Sequence, residues 1–272
     1  MPGQFGTGGG PGSIWKIDGT TGTVSLFANL KHGDKDNSGP GLGALAYDPD
    51  SDQIFAADLE FGLIHRLGRD GHDRGTFDHG VSGRKAAGLD AIPYDASSRA
   101  SIERPEFDIE DPFSWGFADA RRIVFALAVA NKRLYYSVEK PLQIWSVGIN
   151  ADGSFADDPR IEIEVTGSPS ANLVTDIAFD GPDKLYLSQR SELAGSYDYS
   201  VFAKLQTPVV RRYSWSESDK RWSEDADEFA IGLGHARQVR LIADQNPTAL
   251  LARAFHERQI VGMKWRGQVH NH

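Results

Sequence analysis

The chain of 272 residues contains no cysteine, which removes disulfide bonds, zinc-thiolate sites, iron-sulfur clusters and a cysteine nucleophile together. Both reducing and oxidising compartments remain compatible with that absence. Long hydrophobic runs are missing too: the longest, Ile123–Ala130, falls far short of the roughly 18 to 20 apolar residues of a membrane-spanning helix. Met1-Pro2-Gly3-Gln4-Phe5 runs into Gly6, Gly8, Gly9, Gly10 and Gly12 without the basic and apolar sections of a signal peptide. The cytoplasm is therefore the default expectation, and an exported or envelope location is expected if an intact parent carries a signal. Positive charge is scarce, with 29 Lys and Arg against 38 Asp and Glu for a net of -9. Such a surface repels nucleic acid, whose binding needs cations to displace counterions. No Gly-x-Ser-x-Gly elbow and no Walker loop occurs, and the N-terminal glycines do not sit between a strand and a helix as a dinucleotide site requires. Residues 1–12 read as a flexible lead-in, and no cofactor is implied.

What is present is a repeating unit. Ile14-Trp15-Lys16-Ile17, Ile64-His65-Arg66-Leu67, Ile144-Trp145-Ser146-Val147 and Val210-Arg211-Arg212-Tyr213 align with one another. Ahead of the last three come pairs of runs that read as hairpins. Ala44–Tyr47 turns through Asp48-Pro49-Asp50-Ser51-Asp52 into Ile54–Ala57, Ala126–Val129 through Asn131-Lys132-Arg133 into Leu134–Ser137, and Asp176–Phe179 through Asp180–Lys184 into Leu185–Ser188. Turn-forming residues between β-branched and aromatic runs are the hairpin signal. Fourth strands are expected at Val24–Phe27, Gly75–Phe77, Ile161–Val165 and Glu228–Ile231.

The pattern predicts an all-β fold, an incomplete β-propeller of about three and a half four-stranded blades. Its third strands begin 50, 80 and 66 residues apart, and removing the 38-residue insertion 83–120 reduces the 80 to 42. Propeller blades repeat every 40 to 50 residues or so, and a closed ring takes typically about four to eight of them. The chain is thus expected to be a fragment of a larger protein, to complete a ring by association, or to draw on its remaining segment.

That segment reads differently. Residues 13–234 form the partial propeller, whereas 235–272 carry six Lys or Arg against two acids, a net of +4 that leaves -13 for residues 1–234. Asn246-Pro247 reads as a helix start, with Leu250, Leu251, Ala254 and Phe255 at helical spacing. The expectation is a basic, partly helical tail unrelated to the repeats, from a shifted reading frame or a gene fusion.

The stretch Gly12–Val24 resembles the outer hairpin of bacterial propellers of the NHL, YVTN and SMP-30/gluconolactonase-like group, and Gly39–Asp48 with Ile54–Asp58 resembles their inner hairpins. Ser38–Gly43 and Asp111–Phe117 are similar to exported bacterial propeller proteins of unassigned activity. The resemblance implies a propeller over residues 13–233. The wider group includes calcium- or zinc-dependent lactonases that hold their metal on Glu, Asn and Asp at the inner ends of strands. The matching positions here are Gly43-Ala44, Phe125-Ala126 and Thr175-Asp176, and only Asp176 carries a ligand. Calcium takes about six to eight oxygens, so no lactonase metal site is assigned.

Other candidates weaken under the same scrutiny. Asp34-Lys35-Asp36-Asn37-Ser38-Gly39 matches half of an EF-hand loop, but the twelfth position is Leu45 rather than glutamate. Asp48, Asp50 and Asp52 fall in a hairpin turn, where acids satisfy backbone donors. Glu106, Asp108, Glu110 and Asp111 form an acidic loop face, with nothing to set the cleft geometry of a glycosidase pair. His256-Glu257 starts a zinc-protease pattern that Ile260 ends, and His270 and His272 lie at the terminus. His65 reads as a blade-packing residue. Trp15 and Trp145 occupy equivalent positions and are expected between sheets, rather than in a sugar-binding stripe with Trp215 and Trp222. Tyr94, Phe107, Phe113, Trp115 and Phe117 of the insertion, with Tyr197-Asp198-Tyr199, suit a binding face, where loops that break a repeat cluster.

The reading is a non-catalytic binding scaffold, or a fragment of one, with catalytic residues unknown and no metal site assigned. A metal-dependent hydrolase or lactonase of the SMP-30-like kind is the alternative. The third class is an interaction module that self-associates or pairs with a partner through open blade edges. A chain whose end sheets lack neighbours is expected to be marginal in stability or prone to aggregate.

Overall fold

The computed structural model describes residues 6–37, 41–98, 105, 118–166, 173–190, 209–225 and 229–230. Three antiparallel meanders carry most of it. The second sheet of the chain is β5 (Leu42–Asp48), β6 (Gln53–Asp58), β7 (Leu63–Gly68) and β8 (Asp73–Asp78), hydrogen-bonded in that order. The third is β9 (Val124–Ala130), β10 (Arg133–Val138), β11 (Gln143–Gly148) and β12 (Arg160–Glu164). The fourth is β13 (Val174–Phe179), β14 (Lys184–Gln189), β15 (Val209–Ser216) and β16 (Arg221–Glu224), with β17 (Phe229–Ala230) also on β15. Ahead of them stand a first sheet of only β1 (Ser13–Ile17) and β2 (Val24–Asn29) and a small ribbon, β3 (Lys31–His32) with β4 (Lys35–Asp36).

Each meander follows from local chemistry. The two-residue turn Asn131-Lys132 has positive φ at both positions, 51° and 58°, the twist that lets β9 run straight into β10. Asp48 caps its own turn, its Oδ1 accepting from the Asp50 backbone N at 3.1 Å, and Asp52 sits at φ 49° with its carboxylate on the Tyr47 hydroxyl at 2.9 Å. At the lead-in, a Cβ on Gly12 would stand 2.5 Å from the Leu30 carbonyl oxygen, so glycine is required where the chain crosses the end of β2.

The outer strand of the fourth sheet departs from the expected single run at Glu228–Ile231. Lys220, at φ 51°, folds β16 tightly back on β15, pairing Tyr213 with Glu224 and Trp215 with Trp222. β17 then covers the other end, opposite Val209 and Val210. The eight residues of β15 are long enough to hold both pieces.

Sheets pack face to face through alternating side chains. Phe55, Ala57 and Ile64 of the second sheet meet Leu127, Leu134 and Trp145 of the third. Ala128, Tyr135 and Ile144 of the third meet Ile177, Leu187 and Tyr213 of the fourth. Each large aliphatic or aromatic side chain so buried contributes about 1.5–3 kcal/mol. Ile14, Ala28 and Leu30 pack against Ala56 and Leu67, joining the first sheet to the second in a smaller cluster. No hydrophobic cluster of described residues joins the first sheet to the fourth. The fold is an incomplete β-propeller: among the described residues four sheets stand in series, the first of them with two strands.

Candidate functional site

Because strands alternate in direction, the turn from second to third strand and the connection to the next sheet leave every meander from the same end. That end gathers the turns Leu59–Gly62 and Glu139–Leu142, the long connection from β8 to β9 and the start of β13. Asp58 closes the first of these turns, its Oδ1 accepting from the backbone N of Glu60 at 2.9 Å and of Phe61 at 3.2 Å. Asn37 donates to its Oδ2 at 3.3 Å, and His65 Nε2 stands 3.4 Å from the same oxygen. Two residues of the EF-hand-like stretch are thereby accounted for, since Asn37 is buried on Asp58 and Asp36 pairs with Lys31 at 2.8 Å inside the ribbon, while Ser38 and Gly39 lie outside the described residues.

His65 is wholly buried between two carboxylates, with Nδ1 2.7 Å from Asp73 Oδ2. Burial works against its charge, but Asp58 and Asp73 outweigh that and push its pKa up to about 9. The Nε2 contact is long for a hydrogen bond and acts through charge. Asp73 lines a cleft of about 530 Å³ between the first and second sheets, with Leu30, Lys31, His32, Leu67, His72 and Thr76 among the walls.

The insertion is anchored by Arg122, a residue at 1 % exposure. Its Nε and Nη2 donate to the Phe61 carbonyl at 3.2 and 2.8 Å, its Nη1 to the Ile92 carbonyl at 2.6 Å, and its Nη2 also to Asp78 Oδ1 at 3.1 Å. The guanidinium lies 6.0 Å from the centre of the Tyr94 ring, which packs on Phe61 and His32 at 5.1 and 5.8 Å. Past β8 the chain makes a wide helical turn, His79–Gly83, and returns so that Ile92 N donates to the Gly80 carbonyl at 2.7 Å. A Cβ on Gly80 would meet the Ile92 oxygen at 2.6 Å, so only glycine permits that approach. On the far side of the insertion, Ala118 and Ile123 pack on Leu59. Both roots of the insertion are fastened to one turn of the second sheet.

Across this end, Glu139 and Arg190 sit at matching places just beyond β10 and β14. Burial raises the carboxyl of Glu139 and lowers the guanidinium of Arg190, each charge partly relieving the other. Asp176 accepts from the backbone N of Ile177 at 2.9 Å. Among the described residues no three His, Asp or Glu side chains are grouped to hold a metal ion.

The other sequence candidates are distributed as follows. Trp145 is buried between the second and third sheets and donates from Nε1 to Gln143 at 2.9 Å, while Trp15 is half-buried against Gly6. Trp215 and Trp222 pack edge to face, 5.4 Å apart, on the outer hairpin of the fourth sheet. The acidic run 106–111, Phe107, Phe113, Trp115, Phe117, the 197–199 loop and the tail 235–272 lie outside the described residues. Sequence reasoning missed Arg122 and His79, which stand just outside expected strands, beside Arg121 and beside Asp78 and Gly80. Asp58 had a legible signal, an aspartate closing a strand ahead of a turn.

No protein-family model matches the chain, and comparison with curated proteins finds no match. Among solved structures, the chain is similar to one in a nidogen/laminin complex, at 11 % identity and TM-score 0.39 over 80 % of this chain and 72 % of that one. It is similar to the Dos1 propeller, at 9 % identity and TM-score 0.37, over 80 % of this chain and 40 % of that one. A PQQ-bound aldose sugar dehydrogenase from Streptomyces coelicolor aligns at 15 % identity and TM-score 0.32, over 76 % of this chain and 46 % of the other. The chain thus spans less than half the length of the latter two. The propeller assignment rests on strand order and sheet packing within the chain itself.

Proposed function

We propose that the protein is a non-catalytic binding scaffold, and that its working surface is the end of the sheets from which the insertion 83–120 projects. The observation that carries this reading is Arg122: a buried guanidinium spent on two backbone carbonyls and Asp78 fastens the base of the insertion. Fixing a loop at both roots lowers the conformational entropy lost when it takes hold of a partner. The loop sequence adds chemistry, with Glu106, Asp108, Glu110 and Asp111 interleaved with Phe107, Phe113, Trp115 and Phe117 on a body of net charge -13. Acids among aromatics suit a polypeptide segment bearing both basic and apolar side chains.

The test is a binding titration of the full chain with a peptide of alternating lysine and leucine, at low and high salt. Saturable, salt-sensitive binding that the double variant Phe113→Ser/Trp115→Ser removes is the expected result. Equal binding by that variant would refute the loop's role. Hydrolysis of a sugar lactone with calcium or zinc, abolished by Asp176→Asn, would establish the lactonase alternative instead.

A further inference from the structure

The cleft between the first and second sheets lies toward their outer strands, and its walls come from β2, the ribbon, β7 and the β7–β8 hairpin. Part of the wall is apolar: Ala28, Leu30 and Leu67 belong to the cluster that joins the two sheets, and Leu30 is at 2 % exposure. Part is polar, with Asp73 and Thr76 of β8. A volume of about 530 Å³ is of the size that takes small organic molecules, and an apolar wall with a few polar groups is the composition that orients them.

Charge decides which molecules suit it. Asp58, His65 and Asp73 form a row of carboxylate, imidazolium and carboxylate, in which the negative charges outnumber the positive. The Asp58 side chain is at 0 % exposure and that of Asp73 at 40 %, so the row meets solvent at its Asp73 end, in the wall of the cleft. Burial works against the charge of Asp73, but hydrogen bonds from His65 and the Gly75 backbone, with the charges of His65 and Arg66, hold its carboxyl below the ordinary range. Oδ2 accepts from His65 Nδ1 at 2.7 Å and Oδ1 from Gly75 N at 2.7 Å, and a carboxylate oxygen has capacity for a second donor. The neighbouring charges are matched: Lys31 pairs with Asp36 at 2.8 Å, and Arg74 with Asp70 at 2.6 Å. Arg66 follows His65 in β7 and so points to the opposite face, where it donates to the Arg74 and Asp152 carbonyls at 2.7 and 3.4 Å. His32 packs on Phe61 and Tyr94, ring centres 5.1 and 5.8 Å away.

We infer that this cleft is a binding site for a small organic ammonium ion, its nitrogen on Asp73 and its hydrocarbon part on Ala28, Leu30 and Leu67. None of the lining residues belongs to the insertion 83–120, so the site stands apart from the binding role proposed there. The alternatives fit the walls less well. An anion would be set against the Asp73 carboxylate, and a purely apolar molecule would take water from that carboxylate and give nothing in exchange. A bare metal ion lacks ligands, since among the described residues no three His, Asp or Glu side chains are grouped to hold one. An ammonium group donates to Asp73, with the Thr76 hydroxyl in the same wall as a second acceptor. Its hydrocarbon part covers the apolar wall.

The probe is n-hexylammonium, titrated into the full chain and read from the His65 imidazole signals by NMR, with n-hexanol and hexanoate as the uncharged and oppositely charged controls. Saturable binding with a Kd of about 1 mM or tighter is expected, and both controls should bind at least about tenfold more weakly. Thr76→Lys, at an exposed position of β8, brings an ammonium group of its own to the cleft. It should weaken hexylammonium binding at least about tenfold and leave the melting curve as in the parent. Asp73→Asn should weaken binding as much, at some cost in melting temperature. Equal affinity for hexanol would make the cleft an apolar crevice only and overturns the proposal. So does undiminished binding by either variant, or no saturation by about 10 mM hexylammonium. Nα-acetyl-lysine methylamide separates two sources of the same chemistry: binding tighter than that of hexylammonium places the ammonium on a polypeptide side chain, weaker binding places it on a free amine, and either result supports the site.

Discussion

Two interfaces flank the second sheet, built from the same repeat but with different interiors. Toward the third sheet the filling is apolar, and the one histidine there, His79, is kept neutral. Burial, with Arg84 and Arg122 adding positive charge, lowers its pKa to about 3, and its Nδ1 meets the Tyr136 hydroxyl at 3.1 Å. Toward the first sheet, His65 is held protonated by Asp58 and by Asp73, the latter in the wall of a cleft between the two sheets. Both imidazoles are buried, yet they are driven in opposite directions. Against the third sheet the imidazole has cations and a phenol for neighbours, whereas toward the first sheet it stands between two carboxylates.

The sharpest way to break this comparison is to cut equivalent side chains. Leu127→Ala should cost about 2–5 kcal/mol in urea unfolding, and Leu45→Ala less than about 0.5 kcal/mol. Equal losses would show that Leu45 is covered as Leu127 is. The two histidines provide the next test. The folded pKa of His65 is raised from 6.5 to about 9, so its stabilisation is present in full below pH 6.5 and disappears as pH rises through 9. That loss amounts to about 3 kcal/mol at most. His79 runs the other way: its folded pKa is depressed, so the stability it supports is present above pH 6.5 and falls as pH drops toward 3. Unfolding free energies from pH 4 to 10 should therefore flatten on the alkaline side in His65→Gln and on the acid side in His79→Phe.

A smaller and local effect is expected at the seam of the first sheet. Gly71 has φ +80° and a Cβ there would lie 1.9 Å from the Phe27 carbonyl oxygen. Gly71→Ala should cost about 1–3 kcal/mol, with amide exchange rising in β1 and β2 and unchanged in β9 and β10. The least change in stability is predicted for Ile17→Lys. Ile17 is 61 % exposed where its counterpart Val147 is at 0 %, so the variant should stay within about 0.5 kcal/mol of the parent. Light scattering should nonetheless show it less associated, because a charge breaks the bare apolar face.

Much of the fold was legible because strands advertise themselves locally. The aromatic-rich run Leu134–Ser137 and the Asn131-Lys132 turn specify a hairpin without reference to anything distant. The split outer strand of the fourth sheet was less legible, since Arg221–Glu224 alternates weakly and becomes a strand only by pairing with β15. The candidate site was harder still. Arg122 looks like any surface cation beside Arg121, and its burial depends on Phe61 and Ile92, sixty-one and thirty positions away. His65 was legible as a packing residue but not as a charged one, because Asp58 and Asp73 reach it only once β6, β7 and β8 are assembled.

By itself the amino-acid order determined the repeat: which segments are strands and which positions along them are equivalent. Those are consequences of side-chain alternation and turn chemistry acting over a few residues. Only tertiary structure decided what each equivalent position experiences. Leu45 and Leu127 are the same letter in the same place of the repeat, and one meets solvent while the other meets a neighbouring sheet. Burial and local dielectric are properties of what stands opposite a residue, and in this chain what stands opposite is set by stacking order around an arc.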